Sequence, residues 1–572
     1  MIHYQVAFAN PLSAFIQVST RVAVAEAATV YLQLPAWRPG RYELQHFAQK
    51  VQSFRILDQN QQPLAFRKET KDRWSVTTQG AAELTIHYNF FARQMDAGGS
   101  WVDETQLYLN PINCLLAVEG YEHLPCQLHL DLPDNWRIAS GMELVSRNTL
   151  AAENYETLVD SPLICSPTLL QTGYEEQGIT FRVWIQGQCQ PDWDRIRQDF
   201  QAFTREQLGL FGTFPVKDYH FLNQILPYPH YHGVEHGNST VITLGPGELL
   251  MSPAMYKQLL GVSSHELFHT WNIKKIRPVE MTPYDFSREN YFRTGYVAEG
   301  VTTYYGDYLL ARAGVFDAGQ YFEELNTVLA KHFADYGQDN YSVADSSFDL
   351  WLDGYKAGIP HRKVSIYHKG ALAALVLDLE IRRASQNRQS LDAVMRRLWQ
   401  EFGQTGIGYT EADYNRLAEE VAQTSLQTYF DDLIFGTAPL QPYLEKALHY
   451  VGCTLVAQAS PFLSEAIYGF KTALKDNALE VTGIAPGSPA EALLSLEDEL
   501  VAINGRRIAG NFQALLNTAA PVELTLFRNK MLRQVTLMAG NKSYYQKYLV
   551  RKLPGANDWQ RENFRLWLKQ AF

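Results

Sequence analysis

The chain has 572 residues, enough for several hydrophobic cores and more than one domain. Apolar residues at 46% and charged residues at 19% fit a folded globular protein rather than a disordered or fibrous one. A formal net charge of −11 argues against nucleic acid as the main partner. Five scattered cysteines (Cys114, Cys126, Cys165, Cys189 and Cys453), odd in number and without a CxxC pair, argue against a disulfide framework and against a thiolate metal site.

The first residues, Met1-Ile2-His3-Tyr4-Gln5-Val6, lack a basic stretch followed by an apolar one. The longest apolar run, Ala371 to Leu377, stops at Asp378 and is too short to span a bilayer. The expectation is a soluble, cytoplasmic chain with no membrane span. Aromatic residues at 13%, with 32 tyrosines, point to β-rich segments. Ile2 to Phe8, Ala14 to Val18, Thr29 to Leu34 and Glu83 to Phe90 are rich in β-branched and aromatic residues, and Leu84 to Tyr88 alternates as a half-buried strand does. Pro35 to Tyr42, with two prolines and a glycine, is a turn. These segments predict an N-terminal antiparallel β domain over 1–170.

From Asp192 the period changes. Trp193, Ile196, Phe200, Phe203 and Leu208 fall on one helical stripe. Tyr219 to Leu226 and Ser239 to Leu244 read as strands, and Pro227 to His236 as a Pro/His/Gly-rich loop. Helices are expected over 253–272, 298–312, 317–334, 369–386, 390–402, 410–422 and 425–434, with Asp317, Ser390 and Thr410 as N-caps. A small sheet followed by helices predicts one α+β domain over 171–437. A linker with Pro439 and Pro442 follows over 437–449. Strands return at Tyr468–Leu474, Ala478–Ile484, Glu499–Ile503, Val522–Phe527 and Gln534–Met538, with a short helix at Pro489–Leu494, in a domain over 438–542. The basic, aromatic segment 543–572 is left as a C-terminal tail.

Within the helix-compatible run 253–272 stands His265-Glu266-Leu267-Phe268-His269. Residues four apart share a helix face, so both imidazoles can point at one metal ion. Zinc accepts imidazole nitrogen and can keep one position for water, and an adjacent carboxylate suits a base acting on that water. A third protein ligand is usual. No His-x-x-Gly-x-x-His continuation follows His269. Glu299 on a downstream helix could supply the ligand, or could be a solvated glutamate favoured by a helix start; the pattern leaves both open. Thr303 and Asp307, one and two turns beyond it, are equally open as groups that orient a ligand.

Several blocks carry a resemblance. They are His265 to Asn272, Arg277-Pro278, Pro283-Tyr284-Asp285, Arg288 to Tyr291, Glu299-Gly300, Trp37-x-Pro39-Gly40-x-Tyr42, Gly233-Val234-Glu235-His236-x-Asn238-Ser239, Ser346 to Asp349 with Trp351, and Tyr367-His368-Lys369-Gly370. In this order they resemble the M61 glycyl aminopeptidase family, which carries a PDZ domain and is related to the M1 aminopeptidases. The resemblance implies a multidomain α+β protein: the N-terminal antiparallel β domain, a thermolysin-like, mainly helical zinc-peptidase domain, and a C-terminal PDZ domain. It implies one Zn2+ per chain held by His265, His269 and Glu299, with Glu266 as catalytic base. Glu235 would bind the free α-amine of a peptide substrate, and Gly233 would let backbone approach it. His232 departs from the family, which often has another glycine there, and puts that backbone contact in doubt. Tyr367 would steady the oxyanion, and the preferred N-terminal residues would be glycine or alanine.

Ile484 to Ala492, followed by Asp498 to Gly505, looks like a PDZ domain, with Tyr468-Gly469-Phe470 where a glycine-rich carboxylate loop is usual. Such a groove takes a peptide as an added strand. Two rival functions follow. One is a catalytically silent zinc fold whose PDZ domain is the working part. The other is an endopeptidase or another acyl hydrolase, which an N-blocked substrate distinguishes from an aminopeptidase.

Overall fold

The computed structural model describes residues 1–24, 28–356, 358–510, 512–516 and 521–572. The alternation in the first 90 residues does what period 2 requires. In Phe15–Ala23 the side chains of Ile16, Val18, Thr20 and Val22 are buried while their neighbours face outward. That strand lies in a seven-stranded sheet in the order Glu143–Ser146, Thr149–Ala152, Cys126–Leu130, Ile2–Ala7, Phe15–Ala23, Glu83–Phe91, Val51–Asp58. Every pair in it is antiparallel except Ile2–Ala7 with Cys126–Leu130, which run parallel. Two four-stranded sheets complete this β region, whose core includes Val6, Val18, Leu32, Trp74, Ile86 and Leu128.

The turn Pro35 to Tyr42 leaves this β core and enters the helical one. Trp37 is fully buried, packs edge-on against Tyr284 and Trp351, and donates from Nε1 to Asp285 O at 2.8 Å. The turn is thereby fixed to the second region and carries Gly40 and Tyr42 with it.

The second region opens on a five-stranded sheet in the order Leu170–Glu176, Ile179–Gln186, Asp218–Ile225, Ser239–Gly245, His230–Glu235. The three middle strands are parallel and both edges antiparallel. The last strand corrects the sequence reading of Pro227 to His236 as a loop. Its prolines, histidines and glycine have weak strand propensity. Backbone pairing from His230 with Gly245 to Glu235 with Thr240 supplies what propensity does not. Helix Trp193–Phe211, capped by Asp192, buries Ile196, Phe200, Phe203 and Leu208 as its stripe predicts. The expected N-caps are present at Asp317, Ser390 and Thr410, each accepting a backbone N–H of its first turn.

Helix Pro253–Phe268 carries the His-Glu-x-x-His motif. It starts with Ser252 as cap and Pro253 in its first turn, and it ends at Phe268, four residues before the expected 272, with His269 as its C-cap. It is wedged between Ser239–Gly245 and helix Thr302–Arg312, so it is buried along most of its length. The expected helix 298–312 is regular only from Thr302; Tyr296–Val301 forms a π-helical turn that contains Glu299. Helix His368–Ser385 presses on this turn. A Cβ at Gly300 would sit 2.5 Å from Gly370 Cα, and one at Gly370 would sit 2.8 Å from Gly300 Cα. Only a pair of glycines allows that approach.

Three readings beyond residue 436 change. The expected linker 437–449 is mostly the helix Gln441–Tyr450, because Pro442 occupies its first turn, where no N–H is needed. The expected helix at Pro489 to Leu494 is a run of turns. Its backbone bonds, such as Leu494 N to Ala490 O, never extend into a regular helix. The segment left as a tail is strand Lys547–Lys552, paired with Cys453–Gln458, and helix Asp558–Leu568. Between them a separate sheet, Phe470–Lys475, Ala478–Ile484, Glu499–Ile503, Val522–Arg528 and Met531–Leu537, buries its own core around Val481, Leu500, Leu524 and Leu526.

The final helix belongs to the main core. Trp567 is fully buried, donates to Tyr304 Oη at 3.3 Å, and its carbonyl accepts from Tyr308 Oη at 2.8 Å. Trp567→Ala should therefore destabilise the helical region by about 3–5 kcal/mol, the usual effect of truncating a buried aromatic. Thermal or urea unfolding measures it; a change within about 0.5 kcal/mol would instead mark a loosely attached appendage.

Candidate active site

The motif helix brings His265 and His269 onto one face, with their Nε2 atoms 3.0 Å apart. The π-helical turn delivers Glu299, whose Oε2 lies 3.3 Å from His269 Nε2 and 3.9 Å from His265 Nε2. The three candidate ligands named from sequence are thus together. Ligand atoms about 2.0–2.2 Å from a tetrahedrally held zinc ion lie roughly 3.3–3.6 Å from one another, and the observed spacings bracket that value. The donor set, two imidazoles and a carboxylate, is also one that zinc takes.

The surroundings fix these donors. His269 Nδ1 is 2.7 Å from Asn272 O, so Nδ1–H donates to that carbonyl and the Nε2 lone pair faces the cluster. The Asn272 side chain donates to Val297 O at 2.8 Å and to Thr302 Oγ1 at 3.0 Å, tying the motif segment to the Glu299 turn. The next residue, Ile273, has φ 114°, a region β-branched residues rarely occupy. Strain of about 1–3 kcal/mol is thereby held beside the cluster. Glu299 Oε1 accepts from Tyr42 Oη at 3.1 Å, and Tyr42 N donates to Tyr355 Oη at 3.2 Å. The β region therefore reaches the cluster directly. Neither Thr303 nor Asp307 hydrogen-bonds to the candidate ligands among the described residues.

Glu266, Glu235 and His269 form a second, overlapping group whose donor atoms all lie within 4.8 Å of one another. All three are buried. Glu235 Oε1 and Glu266 Oε2 have no hydrogen-bond partner among the described residues. Burial raises the Glu266 carboxyl well above the usual range; His269 opposes this, and the carboxylates of Glu235 and Glu299 add to it. Burial would lower His269, but Glu299 and Glu235 outweigh it and push the imidazole up to about 10, whereas burial drives His265 well below its usual value. Three buried carboxylates thus share one pocket with two imidazoles, an arrangement short of positive charge.

Close approaches shape the walls. A Cβ at Gly40, whose φ is +78°, would meet Glu235 Oε2 at 2.5 Å, and one at Gly233 would meet Glu266 Oε1 at 2.3 Å. Gly233 and Glu235 are one strand period apart on the edge strand, and both line the same cavity as His265, Glu266, Glu299 and Tyr367. Tyr367 is hydrogen-bonded to Tyr355, and burial, then Glu299, holds its hydroxyl well above its ordinary value, so it remains a protonated donor. His232 also lines the cavity, and its Nδ1 accepts from Ala97 N at 3.3 Å.

Below the edge strand lies a buried ion cluster. Asp160 Oδ1 is 2.9 Å from Lys274 Nζ and 3.2 Å from His236 Nδ1, and Asp160 Oδ2 accepts from Gly237 N. Burial would raise Asp160, but Lys274 and His236 outweigh it and hold the carboxyl down to about 2. This cluster joins the β region, the end of the edge strand and the segment after the motif.

Family models match two stretches of the chain. The Peptidase M61 N-terminal domain matches residues 3–167, and M61 glycyl aminopeptidase matches residues 258–373. Both matched models are of the M61 peptidase family. The second M61 match covers the His-Glu-x-x-His motif, Glu299 and Tyr367. A crystal structure of an aminopeptidase N family protein from Idiomarina loihiensis is similar over 99% of this chain and 100% of its own, with 26% identity and a TM-score of 0.91. A variant of an M1 zinc metallopeptidase from Deinococcus radiodurans, bound to a Tyr-Ser-Ala substrate, aligns over 77% of this chain and 94% of its own, at 15% identity and a TM-score of 0.49. Among curated proteins none matches. By these matches the chain is a peptidase with an N-terminal β domain and a helical region.

The sequence reading had no role for Tyr42, Asn272 or Tyr355. Tyr42 and Asn272 both stand in blocks that carry the M61 resemblance, but their partners are distant in sequence. Tyr42→Phe removes the hydrogen bond to Glu299 and leaves the packing. It should weaken metal binding by about tenfold or more, as loss of a group orienting a ligand does. Competition with a chromophoric chelator gives the affinity, and an unchanged value would show that Tyr42 does not orient Glu299.

Proposed function

We propose that this chain is a zinc aminopeptidase that releases small N-terminal residues from peptides. The observation that carries the reading is the unpartnered, buried Glu235 oxygen beside His269 and Glu266. A buried carboxylate is costly unless a cation meets it, and the α-ammonium of a peptide is such a cation. An endopeptidase would have no use for it.

His265, His269 and Glu299 would hold one zinc ion. When bound, zinc lowers the pKa of its water toward neutrality and polarises the substrate carbonyl. Glu235 binds the α-ammonium and fixes the position of the first peptide bond. Gly233 brings the free edge of His230–Glu235 close enough for an extended peptide to lie along it. Glu266 takes the proton of the attacking water and passes it to the leaving amine. Tyr367 donates its hydroxyl hydrogen to the oxygen that gains negative charge. Gly40, Arg41 over the Tyr355 ring at 4.8 Å, and Tyr367 wall the Glu235 end of the cavity, which supports a small first residue, glycine or alanine.

We read the separate sheet over 470–537 as the PDZ domain that the family resemblance implies. Its edge strand Phe470–Lys475 and the short helix Phe512–Leu515 flank a shallow groove. Tyr468 N already donates to Leu463 O, and Ser464 is bonded to Gln513, which supports a spacer role over peptide capture. The five cysteines are all unpaired, which supports a reducing, cytoplasmic setting.

Glu266→Gln should keep stoichiometric zinc and lose turnover by about 10³-fold or more. Metal analysis beside kcat on glycyl- and alanyl-naphthylamides tests this, and a kcat near the parent's would remove Glu266 as the base. Glu235→Ala should depress kcat/KM for free-amine substrates by about 10²-fold and leave N-acetylated peptides equally poor. Equal losses on both kinds of substrate would remove its anchoring role.

A further inference from the structure

The cavity does not end at the candidate ligands. It has a volume of about 640 Å³ and continues from Glu235 past His265 into a second arm between three helices. Lys257, Gly261 and His265 line one stripe of the motif helix, being four residues apart. Asp307 faces them from Thr302–Arg312, and Glu324 from Ala318–Phe333. Gly261 presents bare backbone there; a Cβ on it would lie 3.2 Å from Asp307 Oδ1. Lys257 pairs with Glu323 at 3.0 Å and, within the arm itself, with Glu324 at 2.7 Å, while Lys331 stands exposed at the rim. Among the described residues no group hydrogen-bonds or ion-pairs with Asp307. Burial, then Glu324, pushes its carboxyl up to about 7, against the opposing charges of Lys257 and Lys331.

The edge strand gives this arm a direction. Tyr231, Gly233 and Glu235 alternate onto its cavity side. A peptide paired antiparallel to that strand, with its amine at Glu235, runs past Gly233 toward Tyr231. Four strand residues span about 13 Å, enough to carry the chain beyond the first peptide bond. Tyr231, at the strand end, and Asp307 line the same cavity.

We propose that Asp307 makes this arm a selector for a cationic side chain, lysine or arginine, on the second residue of the peptide. The proposal rests on the aminopeptidase reading, since it needs Glu235 to fix where the amine sits. It makes Asp307 a specificity-determining residue.

Three peptides, Gly-Lys-Ala, Gly-Leu-Ala and Gly-Glu-Ala, test it with the zinc-loaded full chain. The parent should prefer lysine over glutamate in kcat/KM by about tenfold or more, as one partly desolvated charge pair gives. Asp307→Asn should bring the ratio close to one, and Asp307→Lys should invert it, which misfolding cannot do. Calorimetry of the same peptides on the Glu266→Gln protein reads the order of affinity without turnover. A lysine-to-glutamate ratio that is near one in the parent, or that is the same in the parent and both variants, would overturn the assignment of Asp307 and leave the aminopeptidase reading intact. Correctly ordered binding with no cleavage by the parent would instead overturn the aminopeptidase reading and leave the arm. No binding of any of the three peptides would overturn both.

Discussion

Three carboxylates, those of Glu235, Glu266 and Glu299, are buried in one pocket with two imidazoles, and that shortage of positive charge is the constraint around which the rest is arranged. Like charges removed from water repel strongly and lose solvation, so such a pocket persists only if hydrogen bonds and cations offset the cost. Tyr42 serves one oxygen of Glu299 and the Asn272 carbonyl serves one nitrogen of His269. The atoms left over face the cavity. A divalent cation and a peptide ammonium are the two charges that would complete the pocket, and the proposed chemistry follows from the same deficit.

Holding so many polar groups in register takes elements from distant parts of the chain. The β region contributes a turn pinned by Trp37, which sets Gly40 against Glu235 and Tyr42 against Glu299. The Asp160–Lys274–His236 cluster ties that region to the edge strand and to the segment after the motif. The glycine contact between Gly300 and Gly370 presses the Glu299 turn toward the motif helix. At the opposite face, Trp567 bonds to Tyr304 and Tyr308, which lie on the helix that continues from that turn. A change far from the pocket can therefore reach it through packing alone.

The elements differ in how plainly they could be read. Strands such as Phe15–Ala23 and Glu83–Phe91 announce themselves because one face is buried and the other wet. The helix starts at Asp317, Ser390 and Thr410 are written in local chemistry, since a cap serves a backbone N–H only two or three residues away. The edge strand His230–Glu235 could not be read this way. Its residues favour turns, and only pairing with Ser239–Gly245 makes it a strand. The final helix was missed for a related reason: the groove that buries Phe564 and Trp567 is built by residues more than two hundred positions earlier.

The sequence by itself determined that two imidazoles share a helix face with a carboxylate between them, because that follows from 3.6 residues per turn and nothing else. It also placed Glu299, Glu235, Gly233 and Tyr367 as candidates through the blocks in which they stand. The tertiary structure alone decided that the atoms of Glu299 and His269 approach within 3.3 Å, that Tyr42 reaches across from another domain, and that Asp307 is left without a partner. Spacing along a chain fixes only what a single element can do. Which elements meet depends on how their buried faces fit, and that is a property of all the cores together.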